Sequence, residues 1–516
     1  MSRLSKNIIY NTVGQGLLLI LGFVAVKYIF RQLGGDALGI IYFTSTINAL
    51  LSGVLEKGIY STTVREVSTY FKKESEYIGE FIQTGSLFCW AVYVVFSIAV
   101  YVAAPVLVHT WINLTTMDSQ TAVSILRILA IASLIAFPVS FYASLVRGIQ
   151  RMEFNNIIDV SASGLQQLGI VMILIGDGNI FQVAYWIAAC YGLRVTAYFG
   201  VCSRFFSVRS FLPRYVHSVV TRNYEFASKL TSVSVLAMVH KQADKVMISR
   251  LLPLGLLGYY GFAYGFISKA TSITTAVAQA AFPALCSVSD DEDRSSLVSQ
   301  YEKLQDFVSF VTVPVFAAIT FMALPLLKFV FDGRIAETLY LPVLLLCLGF
   351  YLNATVAIPY RLSLAAGRPD IAVRQNLYAI FTVLPATFVA IYFWGLPGAA
   401  MGWILYFLFC YAYSVPRICR ECMKKPLWFF YGSLLRIFVL TALTYGIAYG
   451  IVAVFNTFTM FSLGTAYIGA TAIFVIGGYL MIGDNVRSIF FEDGRANRDD
   501  FRLKLMRVGS WRKNHL

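Results

Sequence analysis

The sequence predicts an all-α polytopic membrane protein: about fourteen transmembrane helices in two pseudo-symmetric six-helix lobes, plus two extra C-terminal helices. Three observations predict it. Of 516 residues, 58% are hydrophobic and 13% charged, with a mean hydropathy of +0.69, whereas a soluble domain is nearer half apolar and a quarter charged. Apolar runs close to the roughly 20 residues that a 30 Å hydrocarbon layer requires recur along the whole chain. The chain also echoes itself at an offset of 219 residues. "RQLGGDALG" (31–39) and "RLLPLGLLG" (250–258) share R-x-L-x-x-x-x-L-G, and "LVRG" (145–148) returns as "LAAG" (364–367).

In chain order the spans are 8–30, 38–63, 82–104, 122–146, 156–176, 180–201, 228–251, 258–285, 305–327, 339–360, 373–394, 397–416, 434–455 and 460–482. None alternates as a barrel strand would, so each is read as a helix. The first has no small-residue cleavage site and is long enough to span, which predicts a retained helix rather than a signal peptide. Six helices precede residue 222 and six more end near 416. This gives an N-lobe at 1–222, a C-lobe at 223–417, two additional helices within 418–482 and a basic tail at 483–516. An offset of an even number of helices makes the repeats parallel, related by an axis along the membrane normal. Repeated bundles of this kind place a substrate path between them.

Charge sets the orientation. Lys and Arg gather before the first span (Arg3, Lys6), at 65–73, 147–151, 204–229, 294–303, 361–374 and 417–436, and after 486. The alternate loops 105–121, 177–179, 395–396 and 456–459 carry none. Positive charge marks the cytoplasmic side, so both termini are expected in the cytoplasm of a cell whose inner membrane holds the chain. The net charge of +14 is mainly this topology signal. Spread over separate segments, it does not make a nucleic-acid footprint. Trp111 and Trp394 suit the outer interface. "NLT" at 113–115 is a glycosylation acceptor only where that machinery exists. Cys419 and Cys422 form one Cys-x-x-Cys with no second pair or nearby His, so no zinc site is expected.

One span breaks the pattern. "VLAMVHKQADKVMISRLL" (235–252) places His240, Lys241, Asp244 and Lys245 in its interior, with Arg250 near its end. Each Lys or Asp near a helix centre costs roughly 2.5–3.5 kcal/mol on insertion scales, and each Leu or Val returns only about 0.3–0.6. The spacing aligns the four on one side of a helix, with Asp244 close to both Lys241 and His240. That stripe faces protein or water rather than lipid, either as a structural ion pair or as a binding surface. Other charges within spans are Lys27, the Glu56–Lys57 pair, Arg127 and Lys269, with Arg31 and Arg250 near the outer boundary. For Lys27, Arg31 and Arg250, snorkelling is the competing account; for Glu56–Lys57, it is local pairing. Cations outnumber carboxylates in this set. A purely structural network would more often balance its charges, and an excess of cations suits an anionic substrate such as a diphosphate. Tyr259, Tyr260 and Tyr264 are expected to pack rather than stack on sugars.

Nothing catalytic is visible. There is no G-x-x-x-x-G-K for ATP and no G-x-S-x-G nucleophile. "DDED" (290–293) reads as a solvated acidic turn, not a metal site. Neither a metal nor a cofactor is expected.

"SKNIIYNTVGQGLLLILGFVAVKYIFRQLGGDALGIIYF" (5–43), "VRGIQRMEFNN" (146–156), "DKVMISRLLPLGLLGYYGFAYGF" (244–266) and "AAGRPDIAVRQN" (365–376) resemble Wzx-type oligosaccharide flippases of the MOP superfamily. The resemblance implies fourteen helices in two lobes that carry an undecaprenyl-diphosphate-linked oligosaccharide from the inner to the outer leaflet by alternating access. A groove on the last two helices would take the lipid tail. The driving force would be a coupling ion (H+ or Na+) or consumption of substrate on the far side. A glycan polymerase or other assembly proteins would be partners. Two alternatives stand beside it: a cation-coupled exporter of small molecules, like the MATE proteins of the same superfamily, and a non-transporting scaffold for glycan assembly. Substrate contacts are expected from Lys27, Arg31, Glu56, Lys57, Arg127, Lys241, Asp244, Lys245, Arg250 and Lys269.

Overall fold

A single residue shapes the first element. Helix α1 (Arg3–Tyr70) runs through the first two predicted spans and breaks only at Gly34, whose φ of 84° and ψ of −179° lie where a side chain is rarely accommodated. The sequence places a loop at 31–37. Instead the helix continues to Gly34 and resumes at once, because one glycine with positive φ redirects the chain. The computed structural model describes residues 3–271, 274, 294–455 and 459–481. The acidic run 290–293 and the basic tail 483–516 lie outside them.

Among the described residues the regular structure is helical, and ten helical stretches are long and apolar enough to cross a membrane. This is an all-α polytopic membrane fold. After α1 come α2 (Ser75–Val106), a π-turn (Leu107–Trp111), α3 (Ser119–Leu134), α4 (Ala136–Gly148), α5 (Met152–Ile175), α6 (Ile180–Cys202), α7 (His217–Leu251) and α8 (Leu254–Ala270). Then follow α9 (Arg294–Val330), α10 (Gly333–Ala365), α11 (Asp370–Trp394), α12 (Leu396–Arg417), α13 (Trp428–Thr441), α14 (Ile447–Val454) and α15 (Met460–Met481). The predicted span 122–146 is two helices end to end, α3 and α4, joined at Ile135. Local signals account for several starts. Asp118 caps α3 by accepting from the amides of Gln120 (3.0 Å) and Thr121 (3.1 Å). Asn179 and Gln182 form a reciprocal capping box that separates α6 from α5.

The chain divides into two compact units. The first comprises residues 1–266 with 327–342 and 376–402. Within it α1 is the central helix, packed on α7, α4, α5 and α3. Its core joins the end of α1 to α2, α4 and α6 through Val67, Ile82, Phe141, Leu145, Tyr198 and Cys202, all buried. The second comprises 267–326, 343–375 and 403–516. There the last helices dock on α9 by aromatic contacts. Phe310 stacks on Phe474 at 4.8 Å, Phe321 meets the Tyr449 ring at 5.4 Å, and the Tyr467 hydroxyl donates to the Pro314 carbonyl (3.1 Å).

Candidate functional site

Helix α7 carries the charged stripe, and α8, the next helix in the chain, packs on it. Asp244 and Lys245 are both buried, 3% and 7% exposed. Lys245 Nζ lies 3.2 Å from Asp244 Oδ1 and donates to the Lys241 carbonyl at 3.1 Å. The Tyr260 hydroxyl donates to Asp244 Oδ2 (2.8 Å), and the Tyr264 ring lies 3.4 Å from the Lys245 ammonium. The pair is thus enclosed: one carboxylate oxygen faces the ammonium, the other a phenol, and an aromatic face shields the cation. Such enclosure lets two charges persist at membrane depth. The structure sets the ammonium of the neighbouring Lys245 on Asp244, a partner that helical spacing does not suggest. The Tyr264 ring covers Lys245 and turns its long chain back along α7.

The rest of the stripe is arranged differently. Lys241 is exposed. His240 Nε2 lies 3.1 Å from the Asn376 carbonyl of α11. Lys27 is half-buried on α1 with its ammonium 3.6 Å from the Phe329 ring centroid. The stripe and α8 therefore join Lys241, Asp244 and Lys245 into one local group, and they do not include Arg127. Arg127 donates to the Tyr101 carbonyl of α2 (3.0 Å) and sits 4.0 Å from that ring. Arg31 and Lys269 are exposed. Glu56 and Lys57 lie on α1, but their side chains fall outside the described residues. Tyr259 packs with Phe30 and Phe331, at 5.6 and 5.2 Å, as expected of a packing tyrosine.

Arg250 belongs to a second arrangement at the other end of α7. Its guanidinium donates to the Thr110 carbonyl (2.7 Å), while Asn113 donates to the Arg250 carbonyl (3.0 Å) and accepts from the Leu254 amide (2.8 Å). The same connection is held from its other side by Asp36, which the sequence reading overlooked. Asp36 is 1% exposed and accepts from the amides of Thr115 (2.7 Å), Thr116 (2.6 Å) and Met117 (3.1 Å). The signal was present in the repeat itself, since "GGDALG" has an acid where the second copy has Gly255. Residues 110–117 are therefore stitched to both the α1 break and the α7–α8 turn.

At the end of α1 a second overlooked carboxylate, Glu66, accepts from the Tyr77 hydroxyl (2.7 Å) and pairs with Arg65 (2.7 Å). Asn223, near the start of α7, joins the same group through Arg65 (3.1 Å) and Tyr77 (3.0 Å). Among the described residues no group of His, Cys, Asp and Glu could hold a metal ion.

A family model described as "Polysaccharide biosynthesis protein" matches residues 4–289. The "Putative O-antigen transporter" of Shigella flexneri is 19% identical over 403 residues, which span 77% of this chain and 93% of that protein. The "Lipopolysaccharide biosynthesis protein WzxC" of Escherichia coli (strain K12) is 24% identical over 188 residues, 36% of this chain and 37% of that protein. Among solved structures, the lipid II flippase MurJ in its inward closed conformation has the same fold at a TM-score of 0.69 and 13% identity, covering 92% of this chain and 99% of that one. An inward-facing multidrug resistance transporter of the MATE family matches at 0.65 and 12% identity, covering 78% of this chain and 94% of its own.

Proposed function

The chain belongs to the polysaccharide biosynthesis protein family, and we propose from that premise that it is a flippase. It moves a lipid-linked oligosaccharide from the inner to the outer leaflet by alternating access. The observation that carries this reading is the asymmetry of the α7 stripe. Its carboxylate is turned toward α8 and held by Lys245 and Tyr260, while Lys241 is exposed. A stripe whose carboxylate is enclosed with one lysine while a second lysine is exposed favours an anionic head over a cationic drug. The names of the family and of the O-antigen relative support the substrate class. The MurJ fold extends over more of this chain than the drug-exporter fold does.

In this mechanism the diphosphate of an undecaprenyl-linked glycan meets Lys241, with Lys27 and Arg31 as further cations. Asp244 and Lys245 position the stripe rather than meet the substrate first. Lobes 1–222 and 223–417 rock about the path, and the helices within 418–482 accommodate the lipid tail. The chain sits in the inner membrane with both termini cytoplasmic. It draws on an H+ or Na+ gradient or on consumption of substrate outside, and a glycan polymerase receives the product.

The test is transport in proteoliposomes that contain a labelled undecaprenyl-diphosphate oligosaccharide, scored by the glycan that becomes accessible to an impermeant glycosidase. Lys241→Ala should slow flipping by about tenfold or more, since a charge-assisted contact is worth about 1.5–3 kcal/mol. Wild-type protein that moves no glycan lipid but exports an organic cation would replace this reading with the exporter. Protein that moves neither would leave the scaffold.

A further inference from the structure

The connection between α6 and α7 is built around surface chemistry. Residues 203–216, SRFFSVRSFLPRYV, hold Arg204, Arg209 and Arg214 and no carboxylate. Two phenylalanines fix the segment. Phe206 packs against Phe71 with centroids 5.3 Å apart, and Phe211 packs against Tyr142 (5.7 Å) and Phe199 (5.3 Å). Phe205 and Val216 pack partly against the same core, while three other apolar side chains of the segment turn outward. Val208, Leu212 and Tyr215 are 58%, 65% and 54% exposed. All three arginines are exposed as well. Among the described residues none of the three is in an ion pair with a carboxylate.

The contacts of the segment with α2 fix its depth. The Ser210 hydroxyl would lie 3.3 Å from a Cβ placed on Gly79, and the Arg214 amide donates to the Gln83 carbonyl (3.4 Å). From Gly79 to Gln83 the helix advances about 6 Å, at ~1.5 Å per residue. Beyond Gln83, residues 84–106 of α2 carry no charge at all. Arg214 therefore stands level with the place where the uncharged part of α2 begins, and Arg204 follows the end of α6 at Cys202 by two residues. The α7 end of the segment is thus placed where the uncharged stretch of α2 begins. There, arginine beside exposed aliphatic and tyrosine side chains is the composition of an interfacial anchor.

We propose that residues 203–216 lie in the headgroup layer and bind an anionic phospholipid of the bilayer. Val208, Leu212 and Tyr215 enter the upper acyl region, and Arg204, Arg209 and Arg214 hold the phosphate. The segment ties the end of α6 and the start of α7 to the lipid surface. A soluble protein partner would fit the exposed apolar side chains but would not explain why three arginines with no carboxylate stand beside the start of the uncharged stretch of α2. The proposal concerns the lipid of the membrane rather than transported substrate.

The experiment uses the full chain with its native cysteines replaced and a bimane label at Leu212→Cys, in vesicles of symmetric composition with no glycan lipid. Symmetric vesicles make the result independent of which side faces the cytoplasm and of whether the chain is a flippase. Phosphatidylglycerol or phosphatidylcholine carries a doxyl quencher near the headgroup at equal mole fraction. Quenching by the phosphatidylglycerol form should be at least twofold stronger. Raising salt from 50 to 500 mM should reduce that preference in the unmutated segment, because exposed charge interactions are screened. Arg204→Gln/Arg209→Gln/Arg214→Gln should abolish the preference while leaving phosphatidylcholine quenching in place. Absence of quenching by either lipid would mean that the segment stands off the bilayer. Equal quenching with the arginines intact would mean that it inserts without anion recognition. Either result overturns the proposal. If the triple variant does not fold, the salt arm on the unmutated segment still decides it.

Discussion

Gly39 and Gly258 press against one another where α1 crosses α8, and neither has room for a side chain. A Cβ on Gly258 would lie 2.7 Å from the Gly39 amide nitrogen, and one on Gly39 would lie 2.7 Å from the Leu254 carbonyl carbon. The two glycines are counterparts at the 219-residue offset of the sequence repeat. The contact gives the last Gly of R-x-L-x-x-x-x-L-G a physical reason at both positions.

The crossing predicts an overpacking cost. Gly258→Ala should destabilise the protein by about 1–3 kcal/mol, because backbone and not a flexible side chain occupies the space. Gly200→Ala is the control: it also lies within a helix but has nothing within 4 Å of the added atom. Thermal unfolding in detergent should show a lower midpoint for the first and no loss for the second. Equal midpoints would show that the two helices can part at no cost.

The enclosed pair on α7 predicts a coupling. Asp244→Asn removes the counter-charge of the Lys245 ammonium, and Lys245→Gln removes a buried ammonium from the carboxylate. Each single change should cost about 3–5 kcal/mol and the double change much less, since both buried charges are then gone. A thermodynamic cycle over the four proteins measures the difference. Additive losses would remove the pair as a structural unit.

Tyr260 should be separable from that pair. Tyr260→Phe keeps the ring and removes one hydrogen bond to a carboxylate, with an expected loss of about 1.5–3 kcal/mol. Tyr259→Phe, in the aromatic group beside Phe30 and Phe331, should cost less. Unfolding midpoints that rank the two the other way would contradict the assignment of the 2.8 Å bond as the one that holds Asp244.

Asp36 should control the order of the 110–117 connection. In Asp36→Ala, the amides of Thr115, Thr116 and Met117 lose a common acceptor, so their hydrogen exchange should accelerate at least tenfold while the α5 core is unchanged. Protection that persists in the variant would assign the order of this connection to Asn113 and Arg250 instead.

The charge bias predicts topology. In intact cells, with native thiols removed, Gln120→Cys should react with an impermeant thiol reagent and Lys72→Cys should be protected. The reverse pattern would invert the orientation.

The membrane class and most of the helices were legible in the residues, because each rests on local order. A run of apolar side chains acts within a few positions of itself. The break at Gly34 was half legible: the glycine pair was visible, but a loop and a one-residue kink look alike in sequence. What only the tertiary structure decided is which groups meet. Helical spacing offered Asp244 two partners on its own helix. To these the structure adds the next residue and a phenol sixteen positions on, the phenol because α8 covers that side. Asp36 looked like one more residue of a turn until the 115–117 amides were brought to it from 79 positions away. Nor could the sequence show that the Arg214 amide meets the Gln83 carbonyl of α2. Hydropathy and spacing fix what one helix wants to bury, but a charge at membrane depth takes its partner from whichever helix packs against it.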